Sequence, residues 1–541
     1  MLHAVSIGQL CYMAKKNAKN KITKPIEETL WESANKLRGA VEPSEYKHVV
    51  LSLIFLKYAN DKFEARRLEL IEDGKEAFVN QVVFYTARNV FYIPESARWA
   101  KLMTEAKQAD LALHIDAALA TLEQENESLR GALPSNYYAS LALDRTKLAT
   151  LLDRINEIDT LSAADGDLMG RVYEYFLSKF AIAEGKGKGE FYTPKTIVQL
   201  MTELIEPYSG KIYDPCCGSG GMFVQSLKFI EAHQGNRRAV SVYGQEYTNT
   251  TYKLAKMNLA IRGIACNLGE QAADTFFRDQ HPDLKADFIL ANPPFNQKAW
   301  RGANELTEDP RWRGFPTPPT SNANYGWILN ILSKLSHSGT AAFLLANGAL
   351  SGDGVEQEIR KELVEQGVVE TIILLPRNMF YSTDISVTLW ILARNRSARS
   401  VEQNGQMIHY RERREETLFI DLRQEGEPFE KKYIQFNPEQ IARIAQTYHS
   451  WQREGYEKNY SNVPEYCYSA TRAELAAKGY SLVPSKYIAF ANRDEAVDFA
   501  SEMQSIQQEM QTLLEEEARN AEQLRSLFDE LGFPLNTSAD V

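Results

Sequence analysis

The sequence predicts a Rossmann-like, doubly wound α/β domain that follows an all-helical domain and precedes a helical tail. Three patterns indicate this fold class. Between residues 190 and 394, short apolar runs alternate with segments of helical periodicity, which is typical of a parallel sheet covered by helices. Before residue 180, almost every apolar pattern has helical spacing. After residue 500, apolar residues recur at intervals of three and four.

Composition limits the class of protein. The 541 residues are 44% hydrophobic and 25% charged, which predicts a globular chain of two or three domains. The formal net charge is −11, so contact with DNA would need a partner or a local basic patch. The five cysteines form no CxxC pair and no zinc-ligand array, and their scatter suits a reducing cytoplasm. No apolar run approaches the roughly 20 residues that span a membrane.

The chain begins with two predicted segments. Residues 1–24 lack the apolar core and cleavage site of a secretion signal and are predicted to form a flexible leader. Residues 25–183 are predicted to form a helical domain, with apolar residues at helical spacing from Leu30 onward. Weak strand signals occur at 82–85 and 90–92. The domain has no catalytic constellation of its own, which indicates a scaffold or a surface for partners.

The α/β domain is predicted to occupy residues 184–400. Its first residues, 185–189, are basic and glycine-rich, and on composition alone they form a solvated linker. The linker leads to a short segment made of Glu190, Phe191, Tyr192, Thr193, Pro194 and Lys195. Because proline is favoured at the start of a helix, a helix is expected to begin here and to extend to residue 205.

The next segment predicts a cofactor site. A short strand leads into a glycine-rich turn and a helix, and the turn contains Asp214, Gly218, Ser219, Gly220 and Gly221. Glycines allow a ligand to approach the backbone closely. Phenylalanine at position 223 breaks the Gly-x-Gly-x-x-Gly pattern, which disfavours an NAD pyrophosphate. A cofactor with an adenosine and a charged amino-acid tail fits better, and Asp214 can hold the tail ammonium directly or through water.

Two further acids follow near predicted strands. Glu246 comes after the second strand, where an acid of a βαβ unit is placed to bind both ribose hydroxyls. Asp274 precedes the next buried strand and can accept a hydrogen bond from the cofactor's adenine amino group. An ordinary surface glutamate and an ordinary loop aspartate remain the alternatives at these positions.

A buried strand then ends in Asn292, Pro293, Pro294 and Phe295. Proline lacks the amide N–H and restricts the preceding residue, so the strand stops and its acceptors are held rigidly. The Asn292 side-chain oxygen and the Pro293 carbonyl can together accept both protons of an exocyclic amino group and free its lone pair for attack. Phe295 can stack on the base, worth about 1–3 kcal/mol. A rigid turn without chemistry is the alternative.

Three segments complete the chain. A loop over 296–324 carries tryptophans and arginines, which suggests contact with an extruded base or its strand. Residues 401–492 are predicted to form a mixed α/β extension. Residues 493–541 are predicted to form a coiled-coil-like helix, whose apolar seam has a polar break at Glu517 and Asn520. This helix can pack on its own domain or on a partner's helix.

Taken together, these motifs resemble the modification (methyltransferase) subunit of Type I restriction–modification systems. The resemblance covers roughly residues 25–400, and it rests on the segments 189–194, 214–221 and 292–295 and on the helical patterns at 30–39 and 168–181. It implies an S-adenosylmethionine-dependent methyltransferase domain, with the adenine 6-amino group in double-stranded DNA as the methyl acceptor.

The resemblance also implies roles and partners. Residues 191–194 and 214–221 match the family's donor-binding motifs, Glu246 matches the ribose ligand, Asp274 is a looser match, and 292–295 match the catalytic motif. Glu190 and Lys195, which flank 191–194, are predicted to bind the cofactor with them. A complex of two such subunits with one specificity subunit is implied, with restriction subunits for cleavage. The target adenine must leave the stack, at a cost of about a few kcal/mol. Transfer is then direct, with no metal and no covalent enzyme intermediate.

Other functions fit the residues less well. Cytosine carbon-5 methylation needs a cysteine nucleophile near the base, but the only Pro-Cys pair, Pro215 and Cys216, lies in the donor loop. No Walker A motif is present, so ATP-driven translocation is not the work of this chain. A stand-alone or RNA- or protein-directed Asn-Pro-Pro amino-methyltransferase stays open, as does a catalytically inactive scaffold subunit.

Overall fold

A computed structural model describes most of the chain. The described residues are 27–28, 31–32, 43–141, 143–158, 160–161, 168–184, 192–381, 383–430, 432–490 and 499–533. The leader predicted at 1–24 lies outside them. The chain divides into two compact units, Met1–Ile488 and Ala489–Val541.

The first unit begins with a helical domain built on one long helix. Its α-helices within the described residues are α1 (Pro43–Glu72), α2 (Val83–Thr86), α3 (Trp99–Glu105), α4 (Leu111–Glu125), α5 (Tyr137–Ser140), α6 (Arg145–Asn156) and α7 (Leu168–Glu184). Along α1, Val49, Leu53, Leu56 and Phe63 are fully buried. Residues 49–51 and 53–56 are all buried, so this part of α1 is covered on every side and lies at the centre of the domain's core.

The strand predicted at 82–85 is wrong, and residues 90–92 form no strand either. Val83–Thr86 is the short helix α2, and the ring of Tyr85 stacks on Phe63 with centroids 4.7 Å apart. At Tyr92, the side chain of Asn126 bonds both backbone groups, each at 2.9 Å. A side-chain amide therefore takes the place that a neighbouring strand would have filled.

The α/β part contains one nine-stranded sheet with helices on both faces. Its strands are β1 (Gly210–Asp214), β2 (Val240–Gly244), β3 (Cys266–Asn267), β4 (Ala286–Ala291), β5 (Leu335–Ala346), β6 (Val369–Leu374), β7 (Val387–Ala393), β10 (Glu416–Asp421) and β13 (Cys467–Thr471), in the order β13-β10-β6-β7-β5-β4-β1-β2-β3. Helix α8 (Lys195–Ile205) precedes β1, and the helices between later strands include α9 (Gly221–Ala232), α10 (Asn249–Ile261), α11 (Asn324–Lys334) and α12 (Val355–Glu365).

The predicted doubly wound architecture is confirmed. Neighbouring strands from β5 through β3 are parallel, whereas β7 runs antiparallel between β5 and β6. The apolar side chains on the two faces of the sheet form two separate clusters, one under α8, α9 and α10 and the other under α11 and α12. The carboxyl ends of β1, β2 and β4 therefore meet at one edge, where open α/β sheets bind ligands.

The sheet continues beyond residue 400, into the predicted 401–492 extension. A hairpin of β8 (Arg399–Gln403) and β9 (Gln406–Tyr410) precedes β10, which pairs in parallel with β6, and β13 pairs antiparallel with β10. The remaining elements are β11 (Glu427–Phe429), β12 (Tyr433–Gln435), α13 (Pro438–Gln452), α14 (Tyr456–Asn459) and α15 (Arg472–Ala477). A buried ion pair of Arg413 and Glu370, 2.6 Å apart, ties this extension to β6.

The second unit contains one long helix, α16 (Phe499–Glu530). The seam side chains are exposed: Met503, Ile506, Met510, Leu513, Leu524, Leu527 and Leu531. Among the described residues of the whole chain, none of the helices combines the length and apolar character that crossing a membrane requires.

Candidate active site

The predicted catalytic corner lies where β4 ends. Asn292 is 6% exposed and follows the last residue of the strand. Its Nδ2 donates a hydrogen bond to Oγ1 of Thr193, which is 99 residues away in the sequence, at 3.0 Å. Its Oδ1 is buried and has no hydrogen-bond partner among the described residues. Because a buried polar atom normally has a partner, this oxygen is available to a ligand.

A cavity of about 380 Å³ lies at this corner. Its lining residues are Pro215, Cys216, Gly218, Glu246, Tyr247, Thr248, Thr251, Asp274, Thr275, Phe276, Asn292, Pro294, Gln297, Ala299, Trp300 and Trp327. The fold thus brings five predicted site residues together around one space: Gly218, Glu246, Asp274, Asn292 and Pro294. The volume falls within the roughly 300–1,000 Å³ of small-molecule sites.

The glycine-rich turn is held against the second strand by Glu246. One Glu246 carboxylate oxygen accepts the Gly218 N–H at 3.0 Å, and the other accepts the Thr248 N–H at 2.9 Å. Gly220 has a φ of 80° at the N-terminus of α9, a conformation that favours glycine. The carbonyl of Ser219 accepts a hydrogen bond from Asn258 at 2.7 Å. Glu246 therefore fixes the turn while one side of it faces the cavity.

Glu246 and Asp274 line the cavity, whereas Asp214, the last residue of β1, is a third acid nearby that is not among the lining residues. Asp214 is 1% exposed, and burial raises its pKa to about 8, although the Cys216 N–H that donates to it at 3.0 Å favours the ionised form. Burial also raises the pKa of Glu246. Asp274 accepts the Phe276 N–H at 2.7 Å. Buried carboxyls without a paired cation favour a positively charged ligand, which would restore their ionised forms.

Several predicted site residues lie outside this cavity. Glu190 and Phe191 fall outside the described residues, and Gly221 begins α9 beside the turn. Lys195 is exposed at the start of α8, and Pro293 is buried. Tyr192 stacks on Tyr381 with ring centroids 6.0 Å apart, and Phe295 meets the edge of Phe380 at 5.9 Å. Phe295 thus follows Asn292 closely in the sequence but packs against a neighbouring ring.

The loop over 296–324 differs from its prediction. Trp312 is 3% exposed, and the Trp300 ring packs on Phe276 with centroids 4.5 Å apart. Arg301 donates to the carbonyl oxygens of Gly302 and Pro318, so its charge supports the loop itself. Of the predicted nucleic-acid contacts in this loop, Trp300 lines the cavity, whereas Trp312 and Arg301 are structural.

Tyr247 was not predicted as a residue of this cavity. This side chain is 72% exposed and lines the cavity directly after Glu246. An aromatic residue beside the acid at a strand end was the available signal, since a planar ring there can cover a bound adenosine. The contact between Thr193 and the Asn292 amide was not predicted either.

The N-6 DNA Methylase family matches residues 164–496, and the HsdM N-terminal domain matches residues 26–155. This chain belongs to the N-6 DNA methylase family. The Type I restriction enzyme HindI methylase subunit of Haemophilus influenzae is 40% identical over 438 residues, which cover 76% of this chain and 94% of that protein. The MjaIX methylase subunit of Methanocaldococcus jannaschii is 32% identical, with 95% and 92% covered.

A solved structure agrees with these relatives. The type I restriction–modification methyltransferase subunit from Streptococcus thermophilus superposes with a TM-score of 0.71 at 25% identity, covering 86% of this chain and 99% of that one. The chain is therefore an adenine-specific DNA methyltransferase subunit of the Type I class. This membership favours the main prediction over the stand-alone, RNA- or protein-directed and inactive alternatives.

Proposed function

We propose that this methylase subunit transfers the methyl group of S-adenosylmethionine to the 6-amino group of an adenine flipped out of double-stranded DNA. Asn292 is the principal catalytic residue of this proposal. The observation that carries it is the buried, unpaired Oδ1 of Asn292, in a residue that lines the same cavity as Gly218 and Glu246. An acceptor without a partner at a rigid strand end suits a substrate N–H.

The acids around the cavity support the choice of donor. S-adenosylmethionine carries a sulfonium and an ammonium, and Asp214, Glu246 and Asp274 supply negative charge when ionised. In this proposal Glu246 binds the ribose hydroxyls, Asp274 the adenine amino group and Asp214 the ammonium, directly or through water. The glycine-rich turn lets the donor approach the backbone.

The chain's own residues then act by position. Asn292 Oδ1 and the Pro293 carbonyl accept the two N–H bonds of the adenine amine, which draws its lone pair toward the sulfonium methyl. The nitrogen–carbon bond forms as the sulfur–carbon bond breaks, the sulfonium becomes a neutral thioether, and one amine proton leaves to solvent. Because Thr193 and the prolines hold these acceptors beforehand, little reorganisation accompanies the reaction.

The proposal is tested with radiolabelled donor. The full chain, purified with its specificity subunit, is incubated with duplex DNA and S-adenosylmethionine labelled in the methyl group. Label recovered as N6-methyladenine, in the presence of chelator, is the expected result. Label in cytosine, RNA or protein, or no transfer from an otherwise intact complex that binds the donor, contradicts the assignment.

Thr193→Val is expected to lower kcat about tenfold while leaving the KM for S-adenosylmethionine nearly unchanged. Valine keeps the shape of threonine but cannot accept the Asn292 Nδ2–H, so the amide loses its orientation. Steady-state kinetics at saturating DNA measure both constants.

Thr193→Ser keeps the hydroxyl and should recover most of the activity, and Thr196→Val, in the first turn of the helix that follows, is the matched control. An equal fall in kcat for the serine variant would show that the hydroxyl is not what orients the amide. A rise in KM alone would assign Thr193 to donor binding instead.

The partners proposed for this subunit are a second copy of itself, one specificity subunit and restriction subunits, acting in the cytoplasm. Its Type I relatives support assembly with other subunits, and the exposed seam of α16 supports a helical contact. Seam residues such as Leu513 and Leu524 are more than half exposed, although apolar residues at this spacing usually pack on another helix. The proposed occupant is a helix of the specificity subunit.

Leu524→Ala is expected to weaken association with the specificity subunit about tenfold, since truncating a buried interface leucine costs roughly 1–2 kcal/mol. Analytical ultracentrifugation of the mixed subunits gives the dissociation constant and the two-to-one stoichiometry. Gln508→Ala, off the seam of the same helix, is the control. Unchanged association of the leucine variant would place the specificity subunit elsewhere.

A further inference from the structure

A second cavity, of about 850 Å³, lies between the helical domain and the sheet. Its lining includes Val240 and Val242 of β2 and the segment that precedes β3, so it opens at the amino ends of these strands. Six basic side chains line it: Lys62, Arg88, Lys228, Arg237, Arg238 and Arg262. Glu231 is the one acid among the described lining residues. We call this cavity the basic cleft.

Part of this positive charge is neutralised. Arg237 pairs with Glu231 at 2.7 Å, and Glu174 pairs with Lys228 at 3.3 Å and with Arg262 at 3.8 Å. These pairs account for Lys228, Arg237 and Arg262 and leave three of the six cations, in a chain whose formal net charge is −11. A local excess of this sign attracts an anion.

The remaining cations come from both sides of the cleft. Lys62 and Arg88 belong to the helical domain, and Arg238 precedes β2. The structure records no ion pair for these three side chains with any described residue. Arg88 and Arg238 are exposed. An anion seated in the cleft would therefore contact the two domains at once.

The cleft is distinct from the catalytic cavity. β2 has five residues, so its two ends are roughly 17 Å apart, with the cleft at the amino end and the cavity at the carboxyl end. The charges are also opposite, because the catalytic cavity is lined by Glu246 and Asp274. Of the two sites, the basic cleft is therefore the one that attracts a small phosphate-bearing anion.

We propose that the basic cleft binds a small oligophosphate anion of the size and charge of a nucleoside triphosphate. The volume suits a small ligand, since such sites measure roughly 300–1,000 Å³. Three cations without an ion pair among the described residues suit a ligand with several negative charges. Duplex DNA is too wide to enter the recess and would reach only its rim. Occupancy bridges the helical domain and the sheet, and it does not depend on the proposed methyl transfer.

Isothermal titration calorimetry of the full chain with inorganic tripolyphosphate, at constant ionic strength, tests the proposal. The double variant Arg88→Gln/Arg238→Gln is expected to bind at least about tenfold more weakly, because charge-assisted contacts are lost. The control is Arg130→Gln/Arg154→Gln, which removes two exposed arginines elsewhere on the helical domain and should bind within about twofold of the unchanged chain. Methyl transfer should be the same in both variants.

In the second arm of the experiment, the same proteins are titrated with a short DNA duplex that has no target adenine. Absence of tripolyphosphate binding, or equal binding by both double variants, overturns the proposal. A different result would also overturn it: the duplex binds, its affinity falls in the Arg88/Arg238 variant, and tripolyphosphate does not bind. The rim of the cleft would then be a contact for the DNA backbone. A chain that binds tripolyphosphate in the cleft but transfers no methyl group refutes the catalytic proposal alone.

Discussion

Asn292→Ala is expected to lower kcat for methyl transfer about a thousandfold, which is the scale of losing one preorganised hydrogen-bonding group at a reacting centre. The asparagine supplies an acceptor that is buried and unpaired, so the variant leaves the adenine amine with the Pro293 carbonyl alone. Donor binding should change by only a few-fold, because the glycine-rich turn is held by Glu246. Single-turnover transfer and equilibrium donor binding separate the two effects.

Asn267→Ala is the matched control, since Asn267 is an exposed asparagine at the carboxyl end of β3 in the same sheet. Asn292→Asp keeps an acceptor oxygen and should retain more activity than the alanine variant. Full activity of Asn292→Ala would refute the catalytic assignment. Loss of donor binding in parallel with loss of transfer would show that the residue shapes the donor pocket instead.

The elements around the site could be predicted because local signals coincide there. Helix α8 matches its predicted range, 195–205, since Pro194 sets its start and Glu206 ends it in a left-handed conformation with a φ of 48°. Strand β4 ends at Ala291, one residue before Asn292, because the two prolines that follow Asn292 cannot continue it. Such boundaries depend on a few neighbouring residues, which the sequence displays directly.

Contacts between distant residues could not be predicted in the same way. The hydrogen bond from Asn292 to Thr193 depends on the segment before α8 passing close to the end of β4. No periodicity in the sequence indicates that arrangement. The loop at 296–324 was interpreted from its residue types, but Trp312 and Arg301 satisfy the protein's own interior. The addition of β10 and β13 to the edge of the sheet was not predicted. The hairpin of β8 and β9 precedes β10, so the alternation of strands and helices breaks there.

Affinity for S-adenosylmethionine is expected to rise with pH, by about tenfold per unit below pH 8, because the ionised fraction of a carboxyl falls tenfold per unit below its pKa. Burial raises the pKa of Asp214 to about 8 in the free protein, so at pH 7 this group is mostly protonated and attracts no cation. Above pH 8 it is ionised and no further gain is expected from it. Titration calorimetry between pH 6 and 9 gives this profile.

Asp214→Asn removes the titrating charge and should weaken donor binding by at least about tenfold at pH 9, where the charge-assisted contact with the ammonium is lost, while flattening the profile between pH 7 and 8. Any slope that persists at lower pH then belongs to Glu246, whose pKa burial also raises. Asp287→Asn makes the same change at the opposite edge of the sheet and should leave the profile intact. A persistent slope near pH 8 in Asp214→Asn would mean that the ammonium is held by another group, since only a carboxyl that ionises on binding couples donor affinity to pH in this direction.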